Sequence, residues 1–263
     1  FGYALKALVC LFHHDWSDAK EAATQSLALN NSLIDYVALE KAGGPMKVAT
    51  YAKGGNPEVL NYAYQGSYSD NPAYTYGMIS PELVALYGSN DERLNLFFKT
   101  TGNSVYYFDE GSGAALWNTS ITYTKFQYMA VGLRTAEVYL ILAEAEARLG
   151  NIKEATGVLN QLRVKRIKGD EATLAQPSTQ KAMVQAVIDE RRKELLFGFH
   201  RYWDLKRLNV EADYAKTITR TFPIVTATTR QTYTLAPDSR LYVIPFPEDV
   251  RAKNTNITNN KEK

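Results

Sequence analysis

Trp117 lies in the stretch Gly111-Ser-Gly-Ala-Ala-Leu-Trp-Asn-Thr-Ser120, with Asn118 beside it. An indole offers a flat face that stacks on C–H surfaces, and an amide both donates and accepts hydrogen bonds. Tyr106, Tyr107 and Asp109 precede it by a few residues, and Tyr74 and Tyr76 belong to a further tyrosine cluster with Tyr62, Tyr64 and Tyr68. Rings set among Asn, Asp, Ser and Gly suit reversible capture of an amphipathic ligand. An oligosaccharide, with C–H faces and a hydroxyl rim, fits that description, and so does a peptide. The competing reading for each ring is packing of the loops onto the rest of the protein. Trp16 and Trp203 sit in helical patterns and read as packing residues.

Covalent chemistry has little to work with. There are three histidines and one cysteine. His13 and His14 are adjacent, so on a helix they point about 100° apart and face one ion poorly. No histidine–cysteine spacing fits zinc, and neither a phosphate loop nor a nucleophile elbow occurs, so no metal and no cofactor is expected. Asp109/Glu110 and Glu144/Glu146 are read as ordinary surface carboxylates, because sequence neighbours rarely straddle a glycosidic bond at about 5–9 Å. His200 and Asp204, four apart, read as a packing ion pair without a nucleophile. The sequons at Asn30, Asn118 and Asn256 read as coincidence in an Asn/Thr-rich surface. The chain is expected not to be an enzyme.

A net charge of +2 gives no electrostatic case for nucleic acid. No apolar run approaches the roughly 18 residues of a membrane span. Cys10, among Leu5, Leu8, Val9, Leu11 and Phe12, reads as a buried small hydrophobe. The sequence opens inside a helical pattern and reads as a fragment lacking its N-terminal part, so the missing signal sequence carries no weight.

The elements that must position the rings are helical. Residues 1–30 read as a helix hairpin, with Ala4, Leu5, Leu8, Val9, Leu11 and Phe12 on one stripe and Trp16, Ala19, Ala22, Ala23 and Leu27 on the other. Residues 133–168 repeat the plan. Val138, Ile141, Leu142, Ala145 and Leu149 form one face, Gly150-Asn151 a stop, and Ile152, Ala155, Leu159 and Leu162 the next face. Arg163, Lys165, Arg166 and Lys168 then suit the negative end of the helix dipole. Asp15–Ala19 aligns with Asn151–Ala155, a tetratricopeptide-like pairing. A helical stretch from about Thr179 to Leu208 supplies a further layer.

Between the hairpins, residues 43–132 hold 11 of the 16 glycines and 11 of the 18 tyrosines, so this part is loop-rich and cannot stand without a frame. Short strands are expected within Ser104–Phe108 and Ile121–Phe126, and later at Tyr233–Leu235. The fold class is therefore mainly α: helix hairpins of an α-α superhelix with a large loop-rich insertion containing short strands. We expect a single domain, 1–263. Within it, 1–42 is a helix hairpin, 43–132 a ligand-facing insertion, 133–208 a helical scaffold and 209–263 a C-terminal packing segment.

Asp189–Arg207 is the most charged stretch and still carries Phe, Tyr and Trp, so its charges need partners. Leu195, Leu196, Phe199, Trp203 and Arg207 fall on one helical stripe. Glu190, Glu194, Arg191 and Arg192 are placed to pair along or across helices. The run Glu190-Arg-Arg-Lys-Glu-Leu-Leu-Phe-Gly-Phe-His-Arg-Tyr-Trp-Asp-Leu-Lys-Arg207 resembles the C-terminal hallmark of the SusD/RagB family, although Phe197-Gly198-Phe199-His200 stands where many members read Phe-Glu-Gly-His. The resemblance extends, in family order, through Asn56-Pro-Glu-Val59, then Tyr87 with Asn90–Leu94, then Arg134–Ala145, then Leu241–Pro247 and the asparagine-rich end.

That resemblance implies a lipid-anchored protein on the extracellular face of the outer membrane of Bacteroidetes. Such a protein captures oligosaccharides, most often starch-like or other glycans, and delivers them to a SusC-like TonB-dependent transporter. The anchor would lie outside this sequence. RagB-type members imply peptides instead. A helical interaction scaffold with no ligand of its own, or a hydrolase with an unrecognised site, are the other readings. The ligand-contacting rings of the family lie on variable loops, so no motif carries them onto Trp117, Asn118, Tyr106, Tyr107, Asp109, Tyr74 or Tyr76.

Overall fold

The computed structural model describes residues 1–41, 56–61, 80–93, 98–100, 105–107, 115–117, 121–123, 132–196, 200–222 and 231–258. It is mainly helical. The helices are α1 (Gly2–His13), α2 (Trp16–Leu29), α3 (Tyr36–Lys41), α4 (Pro81–Val84), α5 (Thr135–Arg148), α6 (Ile152–Arg163), α7 (Gln180–Glu194), α8 (His200–Leu208) and α9 (Glu248–Lys253). Three antiparallel or paired two-stranded ladders accompany them: β1 (Phe98–Thr100) with β4 (Ile121–Tyr123), β2 (Val105–Tyr107) with β3 (Ala115–Trp117), and β5 (Ile218–Phe222) with β6 (Gln231–Leu235). Chain contacts divide these residues into two compact units, one of Phe1–Val105 and Asn118–His200, the other of Tyr106–Trp117 and Arg201–Lys263.

In the first unit the two helix hairpins turn in the same way. Asp15 N–H donates to Cys10 C=O at 2.9 Å, with His14 left-handed at φ 63°. Asn151 N–H donates to Glu146 C=O at 2.9 Å, with Gly150 at φ 83°. Each is a six-to-one closure that satisfies carbonyls left open at the helix end. α1 packs on α2, α5 on α6, and α2 on α5, so the hairpins stack. Small residues make that approach possible: Ala4, Ala7 and Cys10 meet Ala19, Ala22 and Ala23 in one core with Leu11, Val138, Ile141 and Ala145. Cys10 is buried as expected, and burial raises its thiol pKa.

Four expectations need correction. The buried face of α1 is Ala4, Ala7, Cys10 and Leu11, whereas Leu5, Val9 and Phe12 are exposed. α1 is apolar nearly all round, so its stripe was ambiguous, and close alanine packing decides which side goes in. α5 is buried on every side because α1, α2, α6 and α7 surround it. Glu144 and Glu146 on it are therefore buried, not surface carboxylates. Arg148 reaches Glu144 at 3.2 Å, and Lys20 and Asn151 reach Glu146 at 3.0 and 2.7 Å. Leu149 and Trp203, both expected to pack, are exposed at 40% and 46%. Finally, Thr179–Leu208 is two helices: α7 stops at Leu195, whose φ −106°, ψ 64° leaves the helical region.

In the second unit, β5 and β6 pair in antiparallel register from Ile218↔Leu235 to Phe222↔Gln231. Tyr202 on α8 donates its hydroxyl to the Tyr242 carbonyl, and its ring lies 6.0 Å from that of Tyr242. Asn209 ties α8 onward, donating to Pro237 C=O at 3.3 Å and accepting from Lys216 N–H at 3.1 Å.

Candidate functional site

The ring candidates divide by where the backbone is described. Tyr106 and Tyr107 end β2, Trp117 ends β3, and these two strands pair. Residues from separate parts of the insertion therefore come to neighbouring strands. Asn118, Asp109, Tyr74 and Tyr76 lie outside the described residues, as do Tyr62, Tyr64 and Tyr68.

The densest chemistry among the described side chains is a buried ionic crossing in the first unit. It begins with local turns. Asn56 Oδ1 accepts from Glu58 N–H at 2.9 Å, which folds the Asn-Pro-Glu turn and aims Glu58 inward. Asp91 Oδ1 accepts from Arg93 N–H at 3.1 Å in the same manner. A backbone bridge between Asp91 and Ile167 brings this turn against the end of α6. The last turn of α7 then delivers Glu190 and Glu194.

The guanidinium of Arg93 contacts three carboxylates, namely Asp91 at 2.7 Å, Glu190 at 2.5 Å and Glu194 at 3.2 Å. Arg166 contacts Glu58 at 2.8 Å and Glu194 at 3.0 Å, donates to Ile34 C=O at 2.5 Å, and lies 3.9 Å over the Tyr36 ring. Arg134 reaches Glu58 at 3.5 Å and Glu194 at 3.6 Å. Arg163 and Lys193 meet Glu190 at 2.8 and 3.0 Å. Tyr87 donates to the Lys193 carbonyl at 2.7 Å. Arg93, Arg166 and Glu58 are fully buried. Arg166 is thus a core cation, a correction to its expected role at the helix end.

Burial alone would favour neutral groups, and at Glu190, Glu194, Arg93 and Arg166 the pairings outweigh it. Burial pushes Glu190 up, but Arg93, Lys193 and Arg163 hold it far below the usual carboxylate range. Burial likewise opposes Glu194, and Arg166, Arg93 and Arg134 hold it down. Arg93 and Arg166 would be lowered by burial, yet their carboxylates raise both well above the ordinary guanidinium value. Lys193 is lowered, chiefly by burial, despite Glu190. Burial pushes the Tyr87 phenol well up. Glu58, Asp91, Glu190 and Glu194 are each engaged by a cation at close range, which suits a clamp.

The hallmark stretch contributes to the clamp and to a smaller group beside it. Arg191 reaches Glu137 at 3.4 Å, and His200 Nδ1 lies 3.5 Å from the same carboxylate. Of the residues read as a pair, His200 turns to Glu137, and Asp204 accepts from Arg207 Nε at 2.8 Å. Phe197, Gly198 and Phe199 lie outside the described residues. Among the described residues no group of three or more His, Cys, Asp or Glu could hold a metal ion. Among them, too, no helix is long and apolar enough to cross a membrane.

Residue-by-residue reading did not foresee the crossing, because its partners are far apart: Arg93 and Glu190 are separated by 97 positions and Arg166 and Glu58 by 108. The available signal was that Asn56–Val59, Tyr87–Arg93, Arg134–Ala145 and Glu190–Glu194 occur in order.

Comparison with known proteins agrees with that order. The SusD family profile matches residues 116–262. No curated protein matches the chain. Among solved structures, a SusD-like protein of Bacteroides fragilis superposes with a TM-score of 0.63 at 18% identity, covering 98% of this chain and 64% of the other. A SusD-like carbohydrate binding protein of Bacteroides vulgatus gives 0.62 at 21% identity, covering 97% and 58%. Surface glycan-binding protein A of Bacteroides uniformis gives 0.63 at 16%, covering 98% and 60%. The chain thus spans less than two thirds of the length of these relatives, and the likeness is one of fold. With more than half of its residues matched by the family profile and its helices arranged as in those structures, the chain belongs to the SusD family.

Proposed function

We propose that this chain is a non-catalytic cell-surface binding protein that captures oligosaccharides and hands them to a TonB-dependent outer-membrane transporter of the SusC type. The observation that carries the reading is the β2–β3 pairing, which draws Tyr106, Tyr107 and Trp117 onto adjacent strands of a SusD-family chain. An aromatic ring stacked on a sugar gives each residue a weak hold, and several holds add along an oligomer. Asn118 and Asp109 are assigned to hydroxyl pairing, and Tyr74 and Tyr76 to a second contact. The names of the Bacteroides vulgatus and Bacteroides uniformis relatives, a carbohydrate binding protein and a glycan-binding protein, support glycan over peptide. A lipid anchor would hold the protein on the extracellular face of the outer membrane. The buried crossing serves as frame and takes no part in ligand contact.

The test is calorimetry or affinity electrophoresis against soluble starch, β-glucan, xylan and mannan, beside a tryptic peptide digest. Binding to one glycan at millimolar concentration or tighter, with no release of reducing ends, is the expected result. Binding to peptides alone points to RagB-type capture, and co-purification with a barrel without ligand affinity points to a scaffold.

A further inference from the structure

We infer that a short backbone clasp at the outer feet of the insertion is a positioning device for ligand capture, acting on the rings without touching the ligand; this rests on the capture reading above. Apart from residues 80–93, whose Asp91 and Arg93 are locked into the ionic crossing, the chain between Asn61 and Gly132 carries every ring candidate. Its two outer feet meet on the helical frame. Val59 and Arg134 form an antiparallel bridge. Leu60 N–H donates to Leu133 C=O at 3.0 Å, and Thr135 N–H to Glu58 C=O at 2.8 Å. The Thr135 hydroxyl reaches the same carbonyl at 3.0 Å, and Asn56 holds the Glu58 turn at 2.9 Å.

Gly132 closes the clasp. Its φ is +132°, and a Cβ there would stand 2.3 Å from the Asn61 carbonyl oxygen. That neighbour is backbone, so any side chain at position 132 must push the two feet apart. Feet held together restrict the segments between them, because a loop with fixed ends samples fewer conformations than one with free ends. Rings on a restricted segment lose less entropy on meeting a ligand. The clasp therefore sets affinity through order, and Gly132, Thr135 and Asn56 are its positioning residues.

The experiment compares wild type with Gly132→Ala, Thr135→Val and the conservative Thr135→Ser. Hydrogen exchange is read without ligand across 62–79, 94–131 and the helices α5–α7, and affinity is read for the tightest-bound glycan of the panel. Gly132→Ala is expected to speed exchange within 62–79 and 94–131 and to weaken binding about tenfold, while α6 and α7 keep their protection. Thr135→Val should move both readouts the same way by less, and Thr135→Ser should restore them. Unchanged exchange and affinity in Gly132→Ala overturns the proposal, as does equal loss of protection in α6 and α7, which marks a general stability role. A wild type that binds no glycan, with insertion exchange still accelerated in Gly132→Ala, refutes capture and leaves the clasp acting on the insertion alone.

Discussion

The ionic crossing at the ends of α6 and α7 is built from buried charged groups, whereas the β2–β3 strand pair carries two tyrosines and a tryptophan. At the crossing, Glu58, Asp91, Arg93, Arg166, Glu190 and Glu194 are buried, close-paired and drawn from segments far apart in sequence. On the strand pair, Tyr106, Tyr107 and Trp117 come from one Gly- and Tyr-rich stretch and are close in sequence. Asn56–Val59, Tyr87–Arg93, Arg134–Ala145 and Glu190–Glu194, four of the segments that resemble the family, supply the first region, and three of the proposed ligand residues, Tyr106, Tyr107 and Trp117, lie on the second. The segments that resemble the family thus mark what holds the first unit together, and under the proposed reading ligand contact falls to other residues.

The sharpest way to break that contrast is to remove one cation from the crossing. Arg166→Met leaves Glu58 and Glu194 buried with fewer partners, and loss of a buried pair costs about 3–5 kcal/mol. Urea denaturation should show that loss, and a change under 1 kcal/mol would mean that the crossing behaves like a surface network. Acid tests the same region. Glu190 and Glu194 have folded-state pKa values depressed below the ordinary 4.5. Their stabilisation is therefore complete above about pH 4.5 and is lost as pH falls toward the folded values. Unfolding free energy should decline progressively below about pH 4.5, and a stability that stays flat from pH 5 to pH 2.5 contradicts the pairing.

Smaller effects are expected outside the crossing. The Thr179 hydroxyl caps α7, accepting from Ala182 N–H at 3.1 Å, so Thr179→Ala should cost about 1 kcal/mol in the same assay. Lys165 and Asp35 pair at 2.9 Å with both side chains more than a third exposed, so Lys165→Met should cost at most about 1 kcal/mol and its effect should fade with salt. If Lys165→Met proved as costly as Arg166→Met, burial would not be what separates the two.

Much of the frame was legible because helical periodicity is a local signal. Both hairpins and the stop at Gly150-Asn151 follow from spacing alone. The face of α1 did not, since apolar residues surround that helix and packing chose among them. The break after Glu194 was hidden by an apolar spacing that runs on through Leu195 and Leu196 to Trp203, with Gly198 the one clue. Of the site, composition pointed to the stretch, and strands at 105–107 and 121–123 were anticipated. The partner strand at 115–117 was not, because pairing is a long-range choice that a three-residue strand barely encodes.

Calorimetric titration of wild type and Trp117→Ala with the glycan that the wild type binds, alongside thermal melts of both, separates ligand contact from frame stability. The substitution is expected to abolish or sharply weaken binding while the melt stays in place, because on the proposed reading the ring serves the ligand and the crossing serves the frame. Undiminished binding, or a melt that falls as far as that of Arg166→Met, would contradict it.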